Sequence, residues 1–309
     1  MYALLGHPVA HSMSPAMHNA AFEKLGIDAR YVAIDVTEDE IGDAVLRLRD
    51  MGYRGWNLTM PLKSAVVPYL DELSTAAKLC GAVNTVVVTG DGKLIGYTTD
   101  GQGYTDSLRD FPGSPQSDVR RQTRKRLSTR TSDLRTGTDP SIWASKLRTG
   151  TVLGCGGAAR SIIVQLAIDG VEKIHVCKRK NASFDDAVEF CWRVSEETGA
   201  QIDVVDMGAE RDYRWAVDDC DILINATNVG MEDGDMSSPV PKDFLRGDMI
   251  VSDIIYHPEV TQLLSDAAEV GAVTHSGKWM LLYQGAAAFK LWIDRDMPIE
   301  YIKEYVFGN

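Results

Sequence analysis

The chain has 309 residues, 44% hydrophobic and 25% charged, the balance of an ordinary globular protein with room for about two domains. A net charge of −12 argues against general nucleic-acid binding, and no apolar run approaches the roughly 18 residues of a membrane span. Five scattered cysteines (Cys80, Cys155, Cys177, Cys191, Cys220) lack metal-site spacing, and Met1–Gly6 has no basic leader, so free thiols in a reducing cytoplasm and no metal are expected.

Residues 2–6 read as a short buried strand. His7-Pro-Val-Ala-His-Ser12-Met-Ser14-Pro15 then suits a loop entering a helix over about 16–25, with Pro15 in its first turn and Ser14 either its N-cap or a hydroxyl offered to a polyol. Residues 30–36 alternate like a strand, 38–51 read as an amphipathic helix, and Gly55–Thr59 as the next strand. That strand delivers Asn57-Leu-Thr-Met-Pro-Leu-Lys63. Proline fixes its own φ and pushes its predecessor towards an extended conformation, so Thr59 and Lys63 stand on a stiff corner. A lysine there can transfer a proton, hold an anion, or simply be a solvated surface charge. Helices over about 63–70 and 74–80, a strand at 81–88 carrying a buried Asn84, an Asp91-Gly92 hairpin turn and a strand at 94–98 ending in Thr99-Asp100-Gly101 complete an α/β layer.

Residues 113–150 differ in kind. Seven arginines and two lysines against three aspartates give them a net charge of +6, with few apolar residues. They read as a basic surface insertion over 113–148, with a patch for an anionic partner as the weaker alternative.

Thr151-Val-Leu-Gly154-Cys-Gly156-Gly157-Ala158 opens a second α/β unit. A strand, a glycine-rich turn and a helix over about 158–169 form the context of a dinucleotide site, where glycines admit a pyrophosphate to a helix N-terminus. The strand at 173–177 ends in Lys178-Arg179-Lys180, where an NAD site usually has an acid; three cations suit the 2′-phosphate of NADP. A helix at 183–198, strands at 201–206, 221–227 and 249–255, a helix at 260–270, a short strand at 272–275 and a long helix from Gly277 to about 293 continue the alternation. Gln284 on that last helix is either a core amide or a ligand contact.

Ser12-x-Ser14-Pro15, Asn57-x-Thr59-x-Pro61-x-Lys63, Gly81-Ala-Val-Asn84-Thr85, Thr99-Asp100-Gly101, Gly154-x-Gly156-Gly157-Ala158, Asn225-Ala-Thr227 and Gln284-Gly-Ala resemble, in order and over nearly the whole chain, the shikimate dehydrogenase family. Met280-Leu-Leu-Tyr-Gln-Gly and Asp296-Met-Pro-Ile-Glu-Tyr-Ile-Lys look more like its quinate/shikimate branch. The resemblance implies an α/β protein of two domains. Residues 1–103, completed by 280–309, would bind substrate, and 149–279 would be a Rossmann domain. It implies reversible reduction of 3-dehydroshikimate to shikimate, and leaves open whether quinate is also a substrate. Lys63 and Asp100 would be catalytic, and Ser12, Ser14, Thr59, Asn84, Tyr256 and Gln284 would bind substrate. Gly154, Gly156, Gly157, Ala158, Lys178, Arg179, Thr227 and Gly277 would hold NADP, or alternatively NAD. A monomer or homodimer acting on a small molecule is expected.

The residue types fit that chemistry. Hydride arriving at a ketone carbon leaves negative charge on oxygen, which an adjacent Lys63 and Asp100 can position, stabilise and protonate. Either could be the formal acid or base. The neutral hydroxyls and amides suit a polyhydroxylated ring. Departures from the pattern are Thr98 for the usual asparagine, Asn181 where NAD-using relatives carry aspartate, and Ser276-Gly277-Lys278-Trp279 for Asp-Gly-x-Gly. Trp279 and the basic insertion motivate a second reading, a catalytically impaired relative that binds a metabolite or partner. A folate dehydrogenase is disfavoured, because it would not explain Ser12, Ser14, Asn84 and Asp100 together.

Overall fold

The computed structural model describes residues 1–111 and 147–308. The chain forms two compact units, Met1–Gly103 with Leu281–Asn309, and Tyr104–Met280. Apart from Leu147 and Arg148, the basic insertion lies outside the described residues. Those two belong to the second unit: Leu147 is buried, and the Arg148 amide donates to Asp221 Oδ2 at 2.7 Å.

The first unit is built on β1 (Tyr2–Gly6), β2 (Tyr31–Asp35), β3 (Gly55–Leu58), β4 (Glu72–Leu73), β5 (Thr85–Val88) and β6 (Leu94–Tyr97), in the sheet order β2-β1-β3-β5-β6-β4. β1 runs parallel to β2 and β3, through crossover helices α1 (Ser14–Lys24) and α2 (Ile41–Asp50). β5 and β6 are an antiparallel hairpin whose turn places Gly92 at φ +86. Trp56, Leu5, Ile41, Leu62 and Leu94 fill the core.

Several elements differ from expectation. Ser14 is the first residue of α1, and Met13 holds the N-cap position without a side-chain cap. The expected helix over 63–70 is a single turn, α3 (Leu62–Ala65), followed by a 3₁₀ turn at Val67–Tyr69, because Pro68 has no N–H to extend the ladder. α4 (Thr75–Cys80) is capped by Ser74 and stopped by Gly81 in the left-handed region, so the strand expected from 81 starts only at Thr85. A helix not foreseen, α5 (Asp100–Asp110), begins at Asp100 itself. Two glycines in its first turn, each costing about 1 kcal/mol of helix propensity, hide it; burial of Tyr104 and Leu108 offsets that cost.

The second unit comprises β7 (Thr149–Leu153), α6 (Gly157–Ile168), β8 (Lys173–Lys178), α7 (Phe184–Thr198), β9 (Gln201–Asp206), α8 (Glu210–Asp218), β10 (Ile222–Asn225), β11 (Ile250–Asp253), α9 (Gln262–Glu269) and β12 (Val273–Ser276). Its sheet is wholly parallel in the order β12-β11-β10-β7-β8-β9. That is the doubly wound arrangement, with the strand order reversing between β7 and β10. The charged run Glu210-Arg-Asp hides α8 in the sequence, yet Tyr213, Ala216 and Val217 bury one face of it. α10 (Gly277–Ile293) leads out of this unit, and α11 (Ile299–Phe307) ends the described chain.

Candidate active site

β3 ends at Leu58, and the chain turns sharply before α3. The Thr59 amide bonds the Leu5 carbonyl at 2.9 Å and the Leu62 amide bonds the Thr59 carbonyl at 2.9 Å, so the corner is tied to β1. Gly6 is required there, because any β-carbon would strike the Thr59 methyl. Lys63, in the single turn of α3, projects to Asp100 at the N-terminus of α5, with Nζ 2.6 Å from Oδ2. The Lys63 side chain keeps 23% exposure and that of Asp100 8%, so the lysine is partly open to solvent while the carboxylate is walled in.

Asn84 supports the other carboxylate oxygen, with Nδ2 2.8 Å from Asp100 Oδ1. Behind it lies a buried polar chain in which Thr99, Thr85, Asn57 and Tyr31 are hydrogen-bonded in turn. Sequence reasoning gave these four no role, although Asn57, Thr85 and Thr99 stand inside its motifs. Burial holds the Tyr31 hydroxyl proton far more tightly than usual, so it remains a neutral donor. Ser12 caps the turn before α1 through an Oγ contact to the Ser14 amide at 3.2 Å, and Ser14 is itself buried. Gln284, half-buried on α10, donates to the Leu281 carbonyl at 2.9 Å. The structure therefore brings Lys63, Asp100 and Asn84 into one bonded cluster. Tyr256 belongs to the second unit, where its exposed ring tilts against His257.

In the second unit the turn from β7 to α6 sits where the strand order reverses, the usual ligand crevice of such sheets. Gly154 has φ +94 and backs onto the Ala226 carbonyl and the Thr227 methyl, so it is required for the turn. Gly156 and Gly157 are exposed, and Gly156 has extended backbone at φ −80; a β-carbon at either would meet no atom within 4 Å. Nothing in the fold needs glycine at these two positions, which leaves an open cradle at the N-terminus of α6. A pyrophosphate fits such a cradle. Arg160 is tied to the turn itself, with Nε on the Cys155 carbonyl at 3.2 Å, and its Nη2 pairs with Asp186 at 2.5 Å.

Asn225 closes the other side of the crevice. Its Oδ1 accepts from the Thr227 hydroxyl at 2.7 Å, and its Nδ2 reaches Asp253 Oδ1 at 3.1 Å. Lys178, at the end of β8, donates to Asn181 Oδ1 at 3.0 Å and Ser183 Oγ at 2.9 Å, while Arg179 and Lys180 are exposed. Gly277 packs so tightly on the Ile254 backbone that no side chain fits there, a structural reason for glycine independent of any ligand. Trp279 lines an apolar groove with Phe111, Val260 and Leu264, and the Lys278 ammonium lies 5.3 Å from its ring centre. Among the described residues, no cluster of three or more His, Cys, Asp or Glu is placed to hold a metal ion. No described helix is long and apolar enough to cross a membrane.

A doubly wound sheet with an open glycine turn, in a chain whose other unit carries a hydrogen-bonded Lys–Asp–Asn cluster, defines the class of two-unit NAD(P)-dependent dehydrogenases. The profile of the shikimate dehydrogenase substrate binding domain matches residues 4–86, and that of the shikimate 5′-dehydrogenase C-terminal domain matches residues 277–306. The chain is 39% identical over 308 residues to a shikimate dehydrogenase (NADP(+)) of Listeria innocua, covering 99% of this chain and 95% of that one. It is 35% identical over 310 residues to a quinate/shikimate dehydrogenase of Escherichia coli, covering 100% and 97%. The crystal structure of shikimate 5-dehydrogenase from Listeria monocytogenes, in complex with shikimate and NAD, superposes with a TM-score of 0.84 at 37% identity, covering 99% of this chain and 96% of that one. The chain belongs to the shikimate dehydrogenase family.

Proposed function

We propose that the protein interconverts 3-dehydroshikimate and shikimate, with NADP as the hydride carrier. The observation that carries this reading is the contact of Lys63 Nζ with Asp100 Oδ2 at 2.6 Å, with Asn84 on the second carboxylate oxygen. Reduction of a ketone builds negative charge on its oxygen, and the partly exposed Lys63 ammonium is the cation available to meet it. In this reading Lys63 Nζ gives the proton to that oxygen and takes it back in the reverse direction, while Asp100 aims Nζ. Ser12, Ser14, Thr59, Asn84, Tyr256 and Gln284 supply neutral donors and acceptors for the ring hydroxyls and carboxylate.

NADP, when bound, supplies or accepts the hydride. Gly154, Gly156, Gly157 and Ala158 cradle its pyrophosphate at the start of α6, with Thr227 and Gly277 flanking the site. Lys178 and Arg179 take the 2′-phosphate, and the chain has Asn181 rather than an acid just beyond them. That the Listeria innocua relative is named for NADP supports the choice.

Initial rates of shikimate and quinate oxidation, each with NADP and with NAD, test the reading. Turnover of shikimate with NADP preferred is expected. The quinate arm shows whether the site tolerates the additional ring hydroxyl. Folded protein that is silent in all four combinations would favour a metabolite-binding relative without catalysis.

A further inference from the structure

Asn57 and Thr85 stand in the motifs around the Lys63–Asp100 pair, yet neither touches that pair. The hydrogen bonds behind Asn84 show what they do. The Thr99 amide lies 2.7 Å from Asn84 Oδ1. A backbone N–H can only donate, so that atom is the oxygen, and Nδ2 must face Asp100. Asn57 is oriented by the same logic. Its Nδ2 lies 3.1 Å from the Asn84 carbonyl, which can only accept, and its Oδ1 accepts from the Tyr31 hydroxyl at 2.8 Å.

One hydroxyl joins the two amides. Thr85 Oγ1 accepts from Asn57 Nδ2 at 2.9 Å and donates to Asn84 Oδ1 at 3.0 Å; Thr99 Oγ1, 3.2 Å from it, also donates to Asn84 Oδ1 at 3.1 Å, so Thr85 is the hydroxyl that ties that oxygen to Asn57. Thr85, Thr99, Asn84 and Asn57 are 0%, 1%, 2% and 4% exposed, so solvent does not substitute for a missing member.

We propose that Thr85 is a positioning residue: its hydroxyl transmits the orientation set by Tyr31 and Asn57 to the Asn84 amide, and through that amide aligns the Asp100 carboxylate with Lys63. The inference rests on the dehydrogenase reading for its effect on rate, but the alignment itself does not depend on turnover. A hydroxyl is required because the junction needs one acceptor and one donor on a short side chain, and threonine supplies it with the β-branching that a strand favours. Valine keeps the shape and removes both functions.

The test compares Thr85→Val with Thr85→Ser. T85V is expected to lower kcat about tenfold, the scale of one lost buried hydrogen bond, with the KM for NADP unchanged. T85S is expected to restore kcat, because it keeps the hydroxyl. A second readout needs no activity: hydrogen-exchange protection of the Asn84 side-chain amide protons, followed by NMR, falls in T85V and returns in T85S. Unchanged protection in T85V, or a T85S enzyme as slow as T85V, would overturn the proposal, the latter by showing that the methyl rather than the hydroxyl matters. Loss of protection in T85V from a protein that turns over neither shikimate nor quinate would uphold the positioning role and refute the dehydrogenase reading. If T85V does not fold, Tyr31→Phe carries the test at the outer end of the chain; the same loss of protection supports the proposal and its absence overturns it.

Discussion

Gly103 of α5 lies directly on the backbone of Gln284 in α10, so close that a β-carbon at 103 would fall on the Gln284 amide nitrogen and Cα. Both residues belong to the first unit. Neither helix can yield here without dragging Asp100, three residues earlier, or the Gln284 side chain. Gly103→Ala is therefore expected to destabilise the protein by about 1–3 kcal/mol, the usual range for overpacking, despite alanine's better helix propensity. A thermal melt at or above the wild-type temperature would contradict this account of the contact.

Lys63→Ala should fold, since the side chain caps nothing and is partly exposed. It is expected to lose at least about 2–3 kcal/mol of transition-state stabilisation, a fall of two orders of magnitude or so in kcat/KM for shikimate. Wild-type-like turnover would remove Lys63 from the reaction.

Gly156→Val separates ligand chemistry from folding. The position has ordinary extended backbone and open space around its would-be β-carbon, so the melting temperature should stay within a degree or two of wild type, by the rule that surface changes stay within about 0.5 kcal/mol. NADP binding, followed by quenching of protein fluorescence, should be lost. Undiminished NADP affinity would place the cofactor elsewhere.

Two buried histidines set the acid limit. The ring nitrogens of His18, stacked 4.4 Å from Tyr31, find no hydrogen-bond partner among the described residues, and burial drives its pKa down to about 3. His275, between Ser107 and Ser252, is driven to about 3 by the same cause. Both stay neutral in the folded state, while the unfolded chain takes up their protons below about pH 6.5. Stability is thus fully present above pH 6.5 and falls as the pH drops towards 3. Between pH 8 and pH 5 the two together should subtract roughly 4 kcal/mol. Urea unfolding at both pH values checks this. His18→Phe, which fits the surrounding aromatic cluster without needing a proton, should remove about half of the dependence.

The sequence was most informative where one residue type serves one purpose. Gly154, Gly156 and Gly157 follow a strand and open a helix, and that strand-turn-helix setting was readable from the pattern alone. Lys63 and Asp100 were readable as chemistry, but their contact spans 37 positions and comes from the fold. α5 and α8 were not readable, because glycines and charges dilute their helical period while tertiary burial stabilises them. Thr85 was invisible for a related reason. A threonine opening a strand is what propensity expects, and only the packed structure shows that its hydroxyl joins two amides.

The first unit is closed by residues far along the chain. Leu282, Ala288, Phe289 and Ile302 from α10 and α11 are completely buried, and Trp292 donates to the Val86 carbonyl at 3.0 Å over a groove that Gly55 keeps open. During synthesis, residues 1–103 therefore leave the ribosome without the helices that seal their core, whereas Tyr104–Met280 is contiguous and can close as soon as it emerges. The half of the molecule made first is the half completed last. Its apolar surface waits exposed for some 180 residues of translation, which makes the nascent N-terminal segment, rather than the finished protein, the form most in need of a chaperone.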